Sequence, residues 1–280
     1  MKTTLEGSST TVTIDPAERV YIIGERINPS PDSKLARSLA DGDMAYVQDL
    51  ARDQVENGAD LIDINVDEET IDTREILPKT VEAVSAVVDV PLVLDTNYEN
   101  VEAIEAALKI CPGKPVINSV SGERDSLDRI LPLVREYDTA VIGLTMDADG
   151  IPDDPEARLS IARDIVETAE DLGIPRQDVI FDPLALPAAS NPDAGLATLR
   201  SIELIREELG NSISLGVSNI SYELPRRVEI NNLFLAMAIR AGLNMPIVDP
   251  VKTRQAILIS DLLLGRDEYA RRFLTFHRES

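Results

Sequence analysis

Asp, Asn and Met side chains recur at one kind of position in this chain, where a short β-branched apolar run ends and a helical stretch follows. Val20 to Gly24 leads into Glu25, Arg26, Ile27 and Asn28; Leu61 to Ile64 carries Asp63 and Asn65; Leu92 to Leu94 meets Asp95. Val116 and Ile117 meet Asn118, Ala140 to Thr145 meets Met146 and Asp147, and Val179 to Phe181 meets Asp182. Ile213 to Val217 meets Ser218 and Asn219, and Ile247 and Val248 meet Asp249. Taken singly, Asp63, Asp95, Asp147 and Asp182 read as helix N-caps. Taken together, carboxylates that accept and amides that both donate and accept suit a flat heterocycle whose edge presents amino, ring N–H and carbonyl groups.

The elements that would bring these residues together follow from the same count. Eight strand-to-helix junctions are the number that closes a parallel (β/α)8 TIM barrel, an α/β fold whose ligand site lies at the C-terminal ends of its strands. Helical periodicity predicts helices over Met44 to Asn57, Leu77 to Val88, Val101 to Lys109 and Leu127 to Tyr137. It predicts four more over Pro155 to Leu172, Ala194 to Leu209, Asn231 to Ala241 and Thr253 to Leu264. Connections after strands are long, notably Asn28 to Asp43, Asp147 to Asp154 and Pro183 to Asp193, as expected of loops that shape a pocket. With 280 residues and 44% hydrophobic content, one barrel over 19–280 is the economical reading. Residues 1–18 read as a polar extension outside it, expected to be disordered.

Composition excludes several classes. A net charge of −23 repels nucleic acid and anionic membrane surfaces. No run of about eighteen apolar residues is present, so the expectation is a soluble, cytoplasmic protein. One cysteine, Cys111, and one histidine, His277, cannot build a thiolate zinc site or a disulfide framework, and no bound metal is expected. The acidity fits either adaptation to a salty cytoplasm or an ordinary acidic enzyme; stability from low to molar salt separates the two.

Several segments occur in a telling order: Gly24-Glu25-Arg26-Ile27-Asn28, Leu94-Asp95, Ile117-Asn118-Ser119, Ile142-Gly143-Leu144-Thr145-Met146, Asp182-Pro183-Leu184, Gly216-Val217-Ser218-Asn219 and Phe234-Leu235-Ala236-Met237-Ala238. From Val20 to the last helix, the chain resembles the pterin-binding methyltransferases, above all the methyltetrahydrofolate:corrinoid methyltransferases. The resemblance implies that Asp95, Asn118 and Asp182 hold a pterin ring and that Asn219 lies near N5, the atom that carries the methyl group. It also implies tetrahydrofolate or methyltetrahydrofolate as substrate, a cobalamin or other corrinoid carried by a partner protein, and a homodimer. Met146 is expected against the ring, with Gly216 and Ser218 beside Asn219. Asn28, Asp63 and Asn65 line the pocket or orient the residues that do. Thr96 follows Asp95 where relatives often have Ser, so that corner is expected to differ in detail.

Methyl transfer from a tertiary amine needs N5 protonated or hydrogen-bonded in the transition state, and otherwise alignment. The chain lacks a loop carrying a cobalt-ligating histidine, so the corrinoid is expected on a separate protein. Arg26 is expected to meet a substrate anion or a neighbouring carboxylate, and Arg226 and Arg227 to lie in a loop. Three alternatives stand beside this reading. A dihydropteroate synthase would place a Lys and a Ser-x-Arg on phosphate, for which Lys252-Thr253-Arg254 is a poor substitute. A magnesium-dependent lyase would draw on Asp63, Asp95, Asp182 and Asp249. A non-catalytic pterin-binding subunit of a corrinoid complex would not need Asn219.

Overall fold

β-Branched residues lose least freedom on a pleated surface, and the Val/Ile-rich runs form strands throughout. The computed structural model of the chain describes residues 1–279. A hairpin of β1 (Thr3–Glu6) and β2 (Thr11–Ile14) comes first. It is followed by β3 (Ile23–Ile27), β4 (Leu61–Asn65), β5 (Leu92–Asp95) and β6 (Val116–Ser121). The remaining strands are β7 (Ala140–Leu144), β8 (Val179–Asp182), β9 (Ser214–Gly216) and β10 (Met245–Val248). From β3 onward all pair in parallel, in the order β8-β7-β6-β5-β4-β3-β10-β9. A bridge between Phe181 and Ile213 joins β8 to β9, with Phe181 N–H donating to Ser212 O at 3.0 Å. The eight-stranded ring is thereby closed, and the chain is a single (β/α)8 TIM barrel.

The helices that return the chain between strands begin with α1 (Lys34–Ala40), α2 (Ala45–Glu56), α3 (Thr73–Ser85), α4 (Val101–Leu108) and α5 (Arg124–Glu136). They continue with α6 (Pro155–Asp171), α7 (Ala194–Glu208), α8 (Arg227–Ala241), α9 (Pro250–Leu263) and α10 (Arg271–Glu279). Two lie outside the periodic segments, α1 inside the long Asn28–Asp43 connection and α10 at the end. The helix expected from Asn231 starts a turn earlier, so Arg227 is its first residue and not part of a loop. Among the described residues no helix is long and apolar enough to cross a membrane.

Alternation along each strand sorts its side chains between two cores. Ile62, Ile64, Leu94, Ile117, Val141, Phe181 and Leu215 face outward into the helices. Ile23, Leu61, Val93, Val116, Ile142, Ile180 and Met245 face inward and fill the barrel. One step of two residues beyond that inner layer come Glu25, Asp63, Asp95, Asn118, Leu144, Asp182 and Gly216. The interior changes from apolar to polar within a single layer.

The extension expected to be disordered is ordered and closes the floor of the barrel. Leu5 and Ile14, both 0% exposed, project into the inner core, while the alternate hairpin residues face solvent. Backbone bonds between Glu6 and Lys114, at 3.2 and 2.9 Å, tie the hairpin to the segment before β6. Gly7 passes so close to this side that an added Cβ would lie 1.9 Å from Asp89 O. Four-residue strands with one or two buried apolar side chains each are too short for their alternation to stand out in a Ser/Thr-rich segment. Leu5→Ala is expected to cost about 2–5 kcal/mol of unfolding free energy, as for other buried leucines, measured by urea denaturation. An unchanged midpoint would mean that the hairpin does not seal the core.

Candidate functional site

The β4, β5 and β6 ends meet side by side, with Asn65 paired in register to Asp95 and Asp95 to Asn118. Their side chains form hydrogen-bonded pairs. Asn118 Nδ2 donates to Asp63 Oδ1 at 3.3 Å, and Asn65 Nδ2 donates to Asp95 Oδ2 at 2.9 Å. Asp63 and Asp95 stand close enough between these two amides for each to bear on the other's proton affinity. Burial, followed by the charge of Asp95, pushes the Asp63 carboxyl well above the usual carboxylate range. Burial pushes Asp95 up to about 6, against a lowering influence from the Asn65 amide. Two dehydrated carboxyls in contact retain a proton between them. Asp63 is 2% exposed and therefore acts beneath the pocket, holding Asn118 and Asp95, while Asn118 is half-buried and Asp95 lines the cavity.

A second brace steadies this corner from the rim. Asp67 accepts from Thr96 Oγ1 at 2.7 and 2.8 Å, from Asn97 N–H at 3.1 Å and from Thr73 Oγ1 at 2.9 Å. Its own N–H donates to Asn65 Oδ1 at 2.8 Å, which turns the Asn65 amide N–H2 toward Asp95. The residue after Asp95, Thr96, is thus buried, its hydroxyl engaged with the loop beyond β4 at the edge of the cavity that Asp95 lines.

Across the mouth, the buried Asp182 carboxylate accepts the Leu184 N–H at 2.7 Å and the Gly216 N–H at 3.2 Å. Burial pushes it up to about 6 despite these donors. Each oxygen keeps a lone pair for a ligand donor. After Gly216 the chain makes a tight 3-10 turn over Val217–Ser221. A Cβ on Gly216 would lie 3.4 Å from Asn219 Nδ2. The exposed Asn219 amide thus folds back over the inward-facing side of β9, next to the Asp182 corner. Arg227 braces the turn, donating to Ser218 O at 2.9 Å and Ser221 Oγ at 3.0 Å.

The remaining expected residues ring this centre. Met146 and Leu144 line a cavity of about 320 Å³ with Asp95, Ser119 and Tyr98. Ser218 lines a neighbouring cavity of about 310 Å³ with Glu25, Arg227, Asn231, Asp249 and Lys252. Asn28 is exposed and lines an open depression with Arg26, Lys34 and Tyr46 that also takes in Glu25, Ser218, Asp249 and Lys252. Arg26 pairs with Asp53. Asp249 caps α9, its side chain accepting from Val251 N–H at 3.1 Å, and pairs with Lys252 at 2.7 Å. Asp147 forms a local turn, accepting from Asp149 N–H at 2.9 Å. Neither joins the Asp63–Asp95 centre as a magnesium site would ask. Cys111 follows α4, half-buried, its thiol pushed up to about 12 by burial.

Glu25 is the site residue missing from the sequence-based set. It occupies the same inward layer as Asp63, and burial, then the adjacent Asp249, push it up to about 7 against Lys252 and Arg227. The signal was available, since Ile23 faces inward and Glu25 follows it by one period of two.

Comparison with known proteins bears on what this mouth holds. Residues 24–249 match the family described as pterin binding enzyme. The chain belongs to the pterin-binding enzyme family. It is 30% identical over 266 residues to the methylcorrinoid:tetrahydrofolate methyltransferase of Eubacterium limosum, covering 93% of this chain and 97% of that protein. Among solved structures, it resembles dihydropteroate synthase from Thermus thermophilus in complex with 6HMPPP. The TM-score is 0.70 at 26% identity, over 93% of this chain and 100% of that one. A Yersinia pestis dihydropteroate synthase shares the fold, with TM-score 0.67 at 18% identity over 94% of this chain and 100% of that one. The family match begins at the Gly24-Glu25 segment and ends at Asp249, so it spans all eight barrel strands.

The raised carboxyls fix the sign of a pH effect. Asp95, Asp182 and Glu25 bind protons more tightly folded than unfolded, so their contribution to stability is present at low pH and lost as pH rises through about 6 to 7. Asp63→Asn supplies the same donor and acceptor without a proton. Urea unfolding at about pH 5.5 and about pH 8 should show wild type losing stability toward the higher value. The variant should lose less, and parallel losses in both proteins would contradict the shared proton.

Proposed function

We propose that this protein moves a methyl group between N5 of a tetrahydropterin, methyltetrahydrofolate in the donor direction, and the cobalt of a separate corrinoid protein. The observation that carries this reading is the pairing of a buried acceptor with an exposed amide. Asp182 sits in the wall, and Asn219 stands over Gly216 beside it. In this reading Asp95, Asn118 and Asp182 take the polar edge of the pterin, carboxylates accepting from ring amino and N–H groups and the amide serving its carbonyl. Asp63 and Asn65 orient those groups, and Met146 covers the ring. The name of the Eubacterium limosum relative supports the choice of both substrates.

In the donor direction, Co(I) of the corrinoid protein directs its electron pair at the methyl carbon. The N5–carbon bond pair returns to nitrogen as N5 takes a proton, and the cobalt ends as methyl-Co(III). The reverse direction, from methylcorrinoid to tetrahydropterin, uses the same contacts. A nucleophile this strong needs no activating base from the protein, so the enzyme supplies alignment and a hydrogen-bonding partner at N5. Asn219 suits that place, because an amide offers both a donor and an acceptor and can exchange them as N5 changes protonation. We take the protein to work as a homodimer, as the resemblance implies.

Dihydropteroate synthase chemistry is the competing reading, favoured by the solved structures of similar fold. Lys252 and Arg254 argue against it. Lys252 lies at the mouth with Asp249, whereas Arg254 reaches Glu56 O at 3.4 Å, stacks on Phe276 and presses on Gly58 ahead of β4. The two cations face different ends of the barrel and form no common phosphate cradle.

The test is a spectrophotometric assay with methyltetrahydrofolate and reduced cobalamin, following loss of Co(I), beside an assay for condensation of a pterin pyrophosphate with 4-aminobenzoate. Methyl transfer without condensation is expected. Asn219→Ala should fold normally and slow transfer about 100-fold, the scale for losing one transition-state hydrogen bond. Asp182→Ala should chiefly weaken pterin binding, by about 1–3 kcal/mol or more. Condensation activity, or wild-type rates and affinities in both variants, would sink the proposal.

A further inference from the structure

We infer that Arg158, on α6 beneath the mouth, is the positioning residue that shapes the Asp182 corner for the pterin edge, an inference that rests on the pterin reading of that corner. Arg158 is 0% exposed and heads the largest fully buried side chains. Among the described residues it has no carboxylate within ion-pair distance. Its Nη1 donates to Pro183 O at 2.8 Å and to Leu184 O at 2.9 Å, and its Nε donates to Pro152 O at 2.6 Å. Nη2 is buried without a partner. A guanidinium held on carbonyls alone is costly to bury, and a loop could be anchored by a neutral donor instead.

What the cation gains is control of two features of Asp182. The first is geometry. Leu184 holds a left-handed φ of 63°, unfavourable for a residue with a side chain. Its carbonyl is gripped from two sides, by Arg158 and by Thr198 Oγ1 at 3.0 Å. That conformation aims the Leu184 N–H at Asp182 Oδ1. The second is charge. Arg158 is the charged group that faces Asp182, alongside the N–H groups of Leu184 and Gly216, and it opposes the upward push of burial on that carboxyl. Asp153, in the loop before α6, also favours the charged form of Arg158. A ligand whose ring N–H and amino groups need an ionised acceptor gains from both features.

The decisive comparison is calorimetric binding of methyltetrahydrofolate to wild type, Arg158→Lys and Arg158→Met from about pH 5 to about pH 9, with folding checked by circular dichroism. Lysine keeps the charge but not the two-carbonyl fork, so affinity should fall about 10-fold with the pH midpoint in place. Methionine removes both, so affinity should fall about 100-fold and the midpoint should move to higher pH, because Asp182 then ionises later. Thr198→Val, which frees only the second grip on Leu184 O, should weaken binding about threefold at an unmoved midpoint. If the Arg158 variants do not fold, wild-type affinity in Thr198→Val overturns the inference. Wild-type affinities and midpoints in folded Arg158 variants overturn it as well, leaving a brace for the loop alone. Absence of any binding by wild type instead removes the pterin reading, and this inference with it.

Discussion

Closure of a parallel ring forces every second residue of eight strands toward one axis, and the rest of this molecule follows from that constraint. The inward layer from Ile23 to Met245 is apolar, and Leu5 and Ile14 of the hairpin seal it from below. The layer above it, one alternation further on, is made of Glu25, Asp63, Asp95, Asn118 and Asp182. These acids rest on a dry floor, and the lost hydration is the first cause of every raised carboxyl among them. A hairpin at one end of the barrel thus bears on the proton affinity of groups at the other.

Three of the dehydrated acids, Asp63, Asp95 and Asp182, are tolerated because each has been given donors. Asp182 takes two backbone N–H groups, Asp95 takes the Asn65 amide, and Asp63 takes the Asn118 amide. The donors are held in turn by the loops after the strands, through Asp67 with Thr96 on one side and Arg158 with Leu184 on the other. Unpaired buried charge is far more expensive than charge already satisfied, so the site is rigid where it is buried. Asn219 is different in kind. It is exposed, its turn is secured by Arg227 through Ser218 and Ser221, and its side chain is free to meet a ligand without disturbing the buried acids.

Much of this was legible in the residues. β-Branched apolar runs that carry or meet Asp63, Asp95, Asn118 and Asp182 located the strands and the polar layer, because strand preference and the side-chain alternation that follows from it are local properties that tertiary contacts cannot reverse without turning the strand over. The division of labour among those residues was not legible. Asp63 lies beneath Asp95 only because β4 and β5 pair in a particular register, and Asn28 meets the Glu25 and Ser218 side of the mouth only because the chain after β3 runs on toward α1. Arg158 was hidden for a related reason, since an arginine beside Leu159 on an amphipathic helix reads as part of a solvated face until the Pro183–Leu184 loop is seen beneath it. The hairpin escaped because its strands are shorter than any usable period.

The protons stored at the mouth bear on how a ligand would be received. Near neutral pH the mouth holds carboxyls that burial has pushed up to about 6 or about 7, and Asp63 beneath them is held well above the usual carboxylate range by burial and by Asp95. A ring edge that donates N–H bonds to Asp95 and Asp182 stabilises their ionised forms. Binding such an edge therefore expels protons that an electroneutral or purely apolar ligand would leave in place. The affinity for a donor edge then rises with pH through the same range in which these carboxyls' contribution to stability is lost, and both changes have one cause. These acids contribute least to stability where they are readiest to accept a donor edge, which is the exchange expected of carboxyls buried at a binding site.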